Sequence, residues 1–433
     1  MKNITEIAEA VATLVETQLD EIMTLSEIER TTKHLMQKIG AEVSKIVITR
    51  RQPQYPEPYM ACACGAKANY IRDRTVNLYT ILGKIEVERA YYLCPTCHKG
   101  VCPLDEQLGL RPNALSCELE RLVALTGVQI PFGKGSMLFE ELTLITVSDQ
   151  TMGKASRHMG ECVVKQEEQL KQQANDPTYL QQQKQEGAAP LRLYGAIDAV
   201  KVNIRGEKEA GWRDLKLGAW FEACGKPPTS PEGQWSIQAE NIDYFADLCP
   251  ANEFSPLVWA TAVQRKAQLA RELILLGDGA EWIWNIVSEN FPQAIQILDW
   301  FHASEHLMPV AQAAFVDEGQ RSQWVAQQRK QMWEGKIEAV IATCRTLAET
   351  HASAVIDKAA NYFETHKTRM RYAYFRSQGY QIGSGTIESA AKQIGMMRMK
   401  VPGARWNEEN AILVAKARAA FLSNRWDDLP LAV

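Results

Sequence analysis

The chain has 433 residues, 46% hydrophobic and 23% charged, with a formal net charge of −4, enough for two or three domains with separate cores. No run of roughly 18 apolar residues occurs, which excludes a conventional membrane-spanning helix. The N-terminus (Met1-Lys-Asn-Ile-Thr-Glu-Ile-Ala-Glu9) alternates charged and apolar residues and lacks the apolar core of a secretion signal, so a cytoplasmic location is expected.

Residues 1–58 read as N-terminal helices. Ile4, Ile7, Val11 and Leu14 recur at helical spacing. Ser26-Glu-Ile-Glu29 has the form of a capping box opening a second helix, with its stripe through Ile28, Leu35, Ile39 and Val43. Such stripes pack on the rest of the chain, the expectation adopted, or on a second copy. Pro53 to Pro58 punctuate a linker.

Residues 59–110 carry Cys62-Ala-Cys64 and Cys94-Pro-Thr-Cys97 on either side of a hairpin, with strands expected over Thr75–Leu82 and Ile85–Leu93 and a turn at Gly83-Lys84. The ten cysteines do not form a secreted disulfide pattern, and paired cysteines in a reducing compartment suggest metal. Four thiolates from opposed turns suit tetrahedral zinc, which makes this a zinc ribbon with a structural Zn2+ held by Cys62, Cys64, Cys94 and Cys97. The first pair is tighter than the usual Cys-x-x-Cys. Cys102 or His98 is a possible replacement ligand, and four reduced core cysteines is the plainer alternative.

Residues 111–165 read as three helices, Ala114–Leu125, Gly135–Ile145 and Ser148–Val164. A short turn joins the last two, in the manner of a DNA-binding helix-turn-helix. The third helix offers Gln150, Thr151, Lys154, Ser156, Arg157 and His158, with Lys154 and Arg157 as the DNA contacts, although many helical bundles share this pattern. The Gln-rich residues 166–190 are expected to be a helix extension or linker and a domain boundary.

From residue 191 onward, strands are expected at about 191–203, 214–224, 234–243, 273–277 and 294–298. The first connections are short, as hairpins permit, and the later ones carry helices, as parallel crossovers require. That is the element order of a ribonuclease-H-like α/β domain, in which the first and fourth strands are neighbours at the centre of the sheet. Asp198 interrupts the first strand, Asp278 ends the fourth, and Glu388 opens a helix after Gly383-Ser-Gly-Thr. A buried carboxylate demands compensation by an arginine or a metal. Carboxylates from separated segments suit two hard cations, Mg2+ or Mn2+, and phosphoryl transfer.

Between Lys367 and Arg405 eight basic residues accompany a single acid, Glu388. This fits a metal ligand beside a phosphate track, with Lys392, Arg398, Lys400 and Arg405 steering the DNA backbone. A solvated helix surface with Glu388 paired to Lys392 fits equally well.

Several runs together are specific: Gly277-Asp-Gly-Ala-Glu-Trp-Ile-Trp284, Phe291-Pro292, Ile297-Leu-Asp-Trp-Phe-His302-Ala-Ser-Glu-His306, Gly383-Ser-Gly-Thr-Ile-Glu-Ser389 with Arg398 and Trp406 beyond, and, toward the N-terminus, Cys-Ala-Cys-Gly65, Leu82-Gly-Lys-Ile-Glu-Val-Glu-Arg89, Cys-Pro-Thr-Cys97 and Pro103-Leu-Asp105. Over residues 60–425 the chain resembles bacterial insertion-sequence transposases of the Mutator-like DDE group, most closely the ISKra-type family. The resemblance implies that Asp198, Asp278 and Glu388 are the DDE triad. It makes Asp299-Trp-Phe-His302 the family's Asp-x-x-His motif, read either as a part of the site or as a strand-end cap, with His306 structural or on DNA. It further implies a helical insertion, 303–375, that grips DNA, although Trp324 and Trp333 read as core.

The expected whole is a multi-domain α+β protein of N-terminal helices, zinc ribbon, helix-turn-helix, and a ribonuclease-H-like catalytic domain spanning 191–433. Its expected activity is cleavage at element ends followed by joining of the freed 3′-hydroxyl to target DNA. Expected partners are double-stranded DNA (terminal inverted repeats and target) and further copies in a homodimer or larger synaptic assembly, with no membrane. The rivals are a nuclease or resolvase on the same fold and a domesticated, catalytically silent DNA-binding regulator.

Overall fold

The computed structural model describes residues 4–429 except 19–23, 52–56, 188, 207–209, 226, 227, 229, 232, 234–237 and 384. The chain is mixed α+β and divides into two compact units between Ser156 and Arg157, inside one helix.

In the first unit, helices α1 (Ile4–Glu16) and α2 (Leu25–Thr49) precede a four-stranded antiparallel sheet. The capping box that opens α2 is Thr24-x-x-Glu27, not the expected Ser26-x-x-Glu29: the Thr24 N–H reaches Glu27 Oε2 at 2.7 Å, and the Glu27 N–H returns to Thr24 Oγ1 at 3.4 Å. Most of the linker expected over Pro53–Pro58 lies outside the described residues.

The sheet comprises β1 (Tyr59–Ala61), β2 (Lys67–Thr80), β3 (Gly83–Leu93) and β4 (Gly100–Val101) in that order. The β2–β3 turn is Ile81-Leu82, because Thr80 pairs with Gly83. Gly83 takes φ +111°, a conformation that disfavours other residues, and therefore closes the turn rather than sitting within it. Alternating Val76, Leu78, Ile85 and Val87 bury one face of this hairpin with Leu104, and Ala41 and Ile48 of α2 pack there. Helices α3 (Pro103–Leu108), α4 (Cys117–Gln129) and α5 (Phe132–Thr143) lead into α6 (Asp149–Ala174). α6 continues through the expected linker, and α7 (Pro177–Glu186) occupies most of its remainder, so these residues are helix extension and the unit boundary falls earlier, within α6.

The second unit is built on a five-stranded sheet ordered β7-β6-β5-β8-β9, from β5 (Arg192–Ile204), β6 (Gly211–Cys224), β7 (Gln238–Asp247), β8 (Glu272–Gly277) and β9 (Ile295–Leu298). The first three strands pair antiparallel, and β5–β8 and β8–β9 pair parallel, so the expected adjacency of the first and fourth strands is present. The third strand ends four residues later than expected, and residues 234–237 of the expected strand lie outside the described residues. Helices α8 (Ala251–Gln264) and α9 (Glu281–Asn290) supply the crossovers on either side of β8.

Helices α10 (Trp300–Glu305), α11 (Leu307–Ala314), α12 (Glu318–Trp333), α13 (Ile337–His351), α14 (Ala354–His366) and α15 (Tyr372–Ser377) fill the expected insertion. Trp324 and Trp333 are buried, with Trp333 edge-on to Trp300 at 5.1 Å, so both are core. The chain returns through α16 (Gly385–Ala390), which passes directly into a π-helix, Ala391–Met399, and ends with α17 (Glu408–Leu422).

Side chains alternate across β5, which assigns the faces of the sheet. Gly195 lies under the Trp220 ring, whose indole N–H donates to Thr261 of α8 at 3.0 Å. Val200 lies under Gly395 of the π-helix, where a Cβ would come within 2.8 Å of Val200 Cγ1. Helices therefore cover both faces, and Asp198 shares the face of Val200, the one reached by the segment carrying Glu388.

Candidate metal centres

The four expected cysteines come together. Cys62, Cys64, Cys94 and Cys97 present Sγ atoms within 4.8 Å of one another, and the Cys62–Cys97 and Cys64–Cys94 pairs stand 3.5 and 3.6 Å apart. A tetrahedron with metal–sulfur bonds of about 2.3 Å has edges of about 3.8 Å, so four thiolates here fit zinc. None is in a disulfide. Cys94 is fully buried, yet the backbone N–H groups of Cys97 and Thr96 bring its thiol down to about 6. Cys62 meets the Cys64 N–H, which favours its thiolate, but the Cys64 and Cys97 thiols hold it up at about 12. Backbone donors aimed at a sulfur stabilise negative charge there, as a metal-binding turn requires. Cys102 is the N-cap of α3 and lies outside this group, as does His98.

The acids lie in one row. The last β5–β8 pair is Ala196–Leu276, and two further residues in that register set Asp198 opposite Asp278. The last β8–β9 pair is Gly277–Leu298, and one further residue sets Asp278 opposite Asp299. The Asp299 N–H donates to the Gly277 carbonyl at 2.9 Å, which holds that register to its end. Three carboxylates thus share one row across three neighbouring strands: Asp278 and Asp299 directly follow the C-terminal ends of β8 and β9, and Asp198 lies beside them within β5, at the edge where open α/β sheets form sites.

Each carboxylate is locally oriented. Asp198 Oδ1 accepts from the Ala199 N–H at 2.6 Å, and Asp278 Oδ1 from Ala280 at 2.8 Å. Asp299 is fully buried and caps α10, its Oδ1 accepting from the His302 N–H at 2.6 Å. The capping reading and the site reading of Asp299 hold together, because capping engages Oδ1 while Asp299, His302 and Glu388 present ligand atoms within 4.8 Å of one another.

Glu388 reaches this position from a distant segment. The Trp300 N–H donates to the Ile382 carbonyl at 2.9 Å, docking the segment that leads into α16 beside the end of β9. Gly383 allows the approach, since a Cβ there would fall within 2.9 Å of the Phe301 ring. Ser384 of the same turn lies outside the described residues. The π-helix that follows is rare in proteins and typical of functional segments.

Of the expected triad, only Glu388 belongs to the tight three-ligand group; Asp198 and Asp278 stand beside it in the row. Burial raises the Asp198 carboxyl to about 6 against the Ala199 N–H, with Asp278 and Asp299 adding like charge and His302 opposing it. Among the described residues neither Asp198 nor Asp278 forms an ion pair with lysine or arginine. Two carboxylates and an imidazole, with two more carboxylates alongside, form a donor set that fits a divalent cation accepting oxygen and nitrogen, Mn2+ as readily as Mg2+.

The basic track needs one correction. Arg398 is 2% exposed, with its guanidinium 4.8 Å from the Trp406 ring. Burial and neighbouring Arg418 lower it to about 10. It is a core cation, enclosed as the π-helix folds back, and is removed from the phosphate contacts. Lys392 and Arg405 are exposed, and Lys400 is half-buried with Nζ 5.7 Å from the Trp212 ring. On α6, Lys154 is exposed and Arg157 half-buried.

Behind the row, His306 takes the structural role read from the sequence, whereas Tyr362 and His366 were missed. His306 stacks on Tyr362 with ring centroids 3.8 Å apart, and His366 lies 4.8 Å from the same ring. Burial lowers both imidazoles, His366 to about 4. Their only sequence signal was the spacing of Tyr362 and His366, one helical turn apart.

No protein-family model matches the chain, and no curated protein matches it.

Proposed function

We propose that the chain is a DNA transposase of the DDE type, with a ribonuclease-H-like catalytic unit, a zinc ribbon and a helix-turn-helix. The observation that carries this reading is the row of Asp198, Asp278 and Asp299 across three adjacent strands, joined by His302 and by Glu388. A sheet in the order 3-2-1-4-5, with helices on both faces, supports the fold assignment.

Asp299, His302 and Glu388 would hold one divalent cation, and Asp198 and Asp278 would hold or share a second. Bound there, such cations polarise the scissile phosphate and stabilise charge on the attacking and leaving oxygens. The protein's own groups do the placing. Ala199, Ala280 and His302 N–H donors orient the three aspartates, and the docked 380–383 segment delivers Glu388. Lys392, Lys400 and Arg405 would meet backbone phosphates, and Lys154 and Arg157 would contact the element end. Exposed Ile4, Ile7, Leu14, Leu25, Met36 and Val43 on α1 and α2 are the surface through which copies would assemble.

The test is cleavage and joining of DNA carrying the terminal repeats that flank the gene, with Mg2+ or Mn2+. Wild type is expected to nick at the repeat end and to join that end to a target plasmid. Asp278→Asn and Glu388→Gln are expected to lose both products, by more than about a thousandfold, while gel-shift binding persists. Nicking without joining would instead favour the nuclease, and binding without either product the silent regulator.

A further inference from the structure

Asp278 ends its strand in a turn that is intrinsically loose. Gly279 follows at φ +103°, a backbone state that glycine adopts and other residues resist. The Asp278 carboxylate takes its direction from that turn, since its Oδ1 accepts from Ala280 on the far side of the glycine. A metal ligand mounted on a glycine hinge needs an outside constraint if its oxygens are to stay in place.

Helix α14 of the insertion supplies the contact to the hinge. Tyr362 donates its hydroxyl to the Asp278 carbonyl at 3.0 Å. His366, one turn further along the same helix face, packs against the Tyr362 ring with centroids 4.8 Å apart. Its tautomer follows from its neighbour. Arg369 Nη1 lies 3.1 Å from His366 Nδ1, and a guanidinium only donates, so Nδ1 accepts and Nε2 carries the proton. Arg369 is itself fixed, its Nε donating to Gln296 of β9 at 2.7 Å. The fit is close: a Cβ at Gly279 would come within 2.6 Å of the Tyr362 hydroxyl. His306, one turn beyond His302, backs the Tyr362 ring by stacking.

We propose that Tyr362, with His366 and His306 packed on its ring, is a positioning residue that clamps the Asp278–Gly279 hinge, so that the insertion sets the pose of the Asp278 carboxylate toward metal. The proposal rests on the reading of the acid row as a divalent-cation site. It connects α14 of the insertion, 84 residues away in sequence at Tyr362, to the edge of the sheet that carries the acids.

The test is Mn2+ binding to the full chain by calorimetry and by electron paramagnetic resonance, without DNA. Wild type, Asp278→Asn, Tyr362→Phe and His366→Leu are compared, with thermal melts of the metal-free proteins as the fold control. Tyr362→Phe and His366→Leu are expected to weaken Mn2+ binding about 10-fold or more, the scale of groups that orient metal ligands. Their metal-free melts should stay within a few degrees of wild type. Wild-type Mn2+ affinity in both Tyr362→Phe and His366→Leu, with Asp278→Asn impaired, would overturn the clamp and leave the site reading intact. Failure of wild type to bind Mn2+, or indifference to Asp278→Asn, would overturn the site reading itself.

Discussion

The second unit buries two groups of acids and treats them in opposite ways. Glu167 on α6 and Asp247 at the end of β7 share Lys416 of α17, at 2.6 and 2.7 Å. Lys416 is 3% exposed, and its two carboxylates outweigh burial and hold it above the ordinary lysine range. On the central strand, Asp198 faces Asp278 and Asp299 as like charges; burial raises its carboxyl, as it raises that of Glu167, but here like charges add to the rise where Lys416 opposes it at Glu167. The first group carries its own cation and serves to fasten two helices to an edge strand. In the second, among the described residues, neither Asp198 nor Asp278 has a lysine or arginine ion pair, and both lie on the face that Glu388 approaches, which suits a site for an external cation.

Experiments on these groups, and on the thiols that share the second arrangement, sharpen or break the contrast. The largest effect is expected at the ribbon. Cys94→Ser should remove one zinc per chain by metal analysis and abolish the hydrogen-exchange protection of β2 and β3, because the thiol group also lacks an internal cation. Retained zinc and protection would place the metal elsewhere.

Next is Lys416→Met, which strips the cation from a buried pair and should cost about 3–5 kcal/mol in urea denaturation. A loss below about 1 kcal/mol would mean the two acids are relieved by water, and the contrast would fail.

The smallest effect has the opposite sign. The folded-state pKa of Asp198, about 6, lies above its ordinary 3.8. The metal-free protein therefore bears a penalty that is absent below about pH 4, grows through the window, and is complete above about pH 6, reaching roughly 3 kcal/mol at most. Stability should fall as pH rises across that window. Asp198→Asn should flatten the profile and raise the melting temperature at pH 7 without metal. Saturating Mn2+ should reverse the order, with wild type the more stable. An unchanged profile in the variant would show that Asp198 is solvated and outside the row's electrostatics.

Much of this was legible locally. The cysteine group follows from two short spacings and a hairpin, since residues two or three apart on a turn cannot avoid one another. The strand order follows from connection lengths, and Asp198 and Asp278 stand out because each interrupts or ends an apolar strand. Asp299 was read as cap or ligand; it is a cap through one oxygen, and its side chain still joins a ligand group. The turn at Ile81-Leu82 and the cap at Thr24 were each displaced by two residues. Near-equivalent residues competed there, and backbone conformation at Gly83 and hydrogen-bond reach to Glu27 decided between them.

Arg398 shows where sequence reasoning stops. A basic residue among basic residues reads as surface, and only the return of Trp406 onto β5, through the Trp406 N–H to Asn203 bond of 2.9 Å, encloses it. Tyr362 and His366 were equally invisible, because a helix names its own neighbours and not the turn it will meet some eighty residues back. The amino-acid sequence by itself determined which segments are strands, which thiols pair, and which acids are costly to bury, all consequences of spacing and local chemistry. Register across β5, β8 and β9 and the docking of the two long-range segments belonged to the tertiary structure. Pairing between strands is a cooperative property of the whole sheet, and no single segment encodes it.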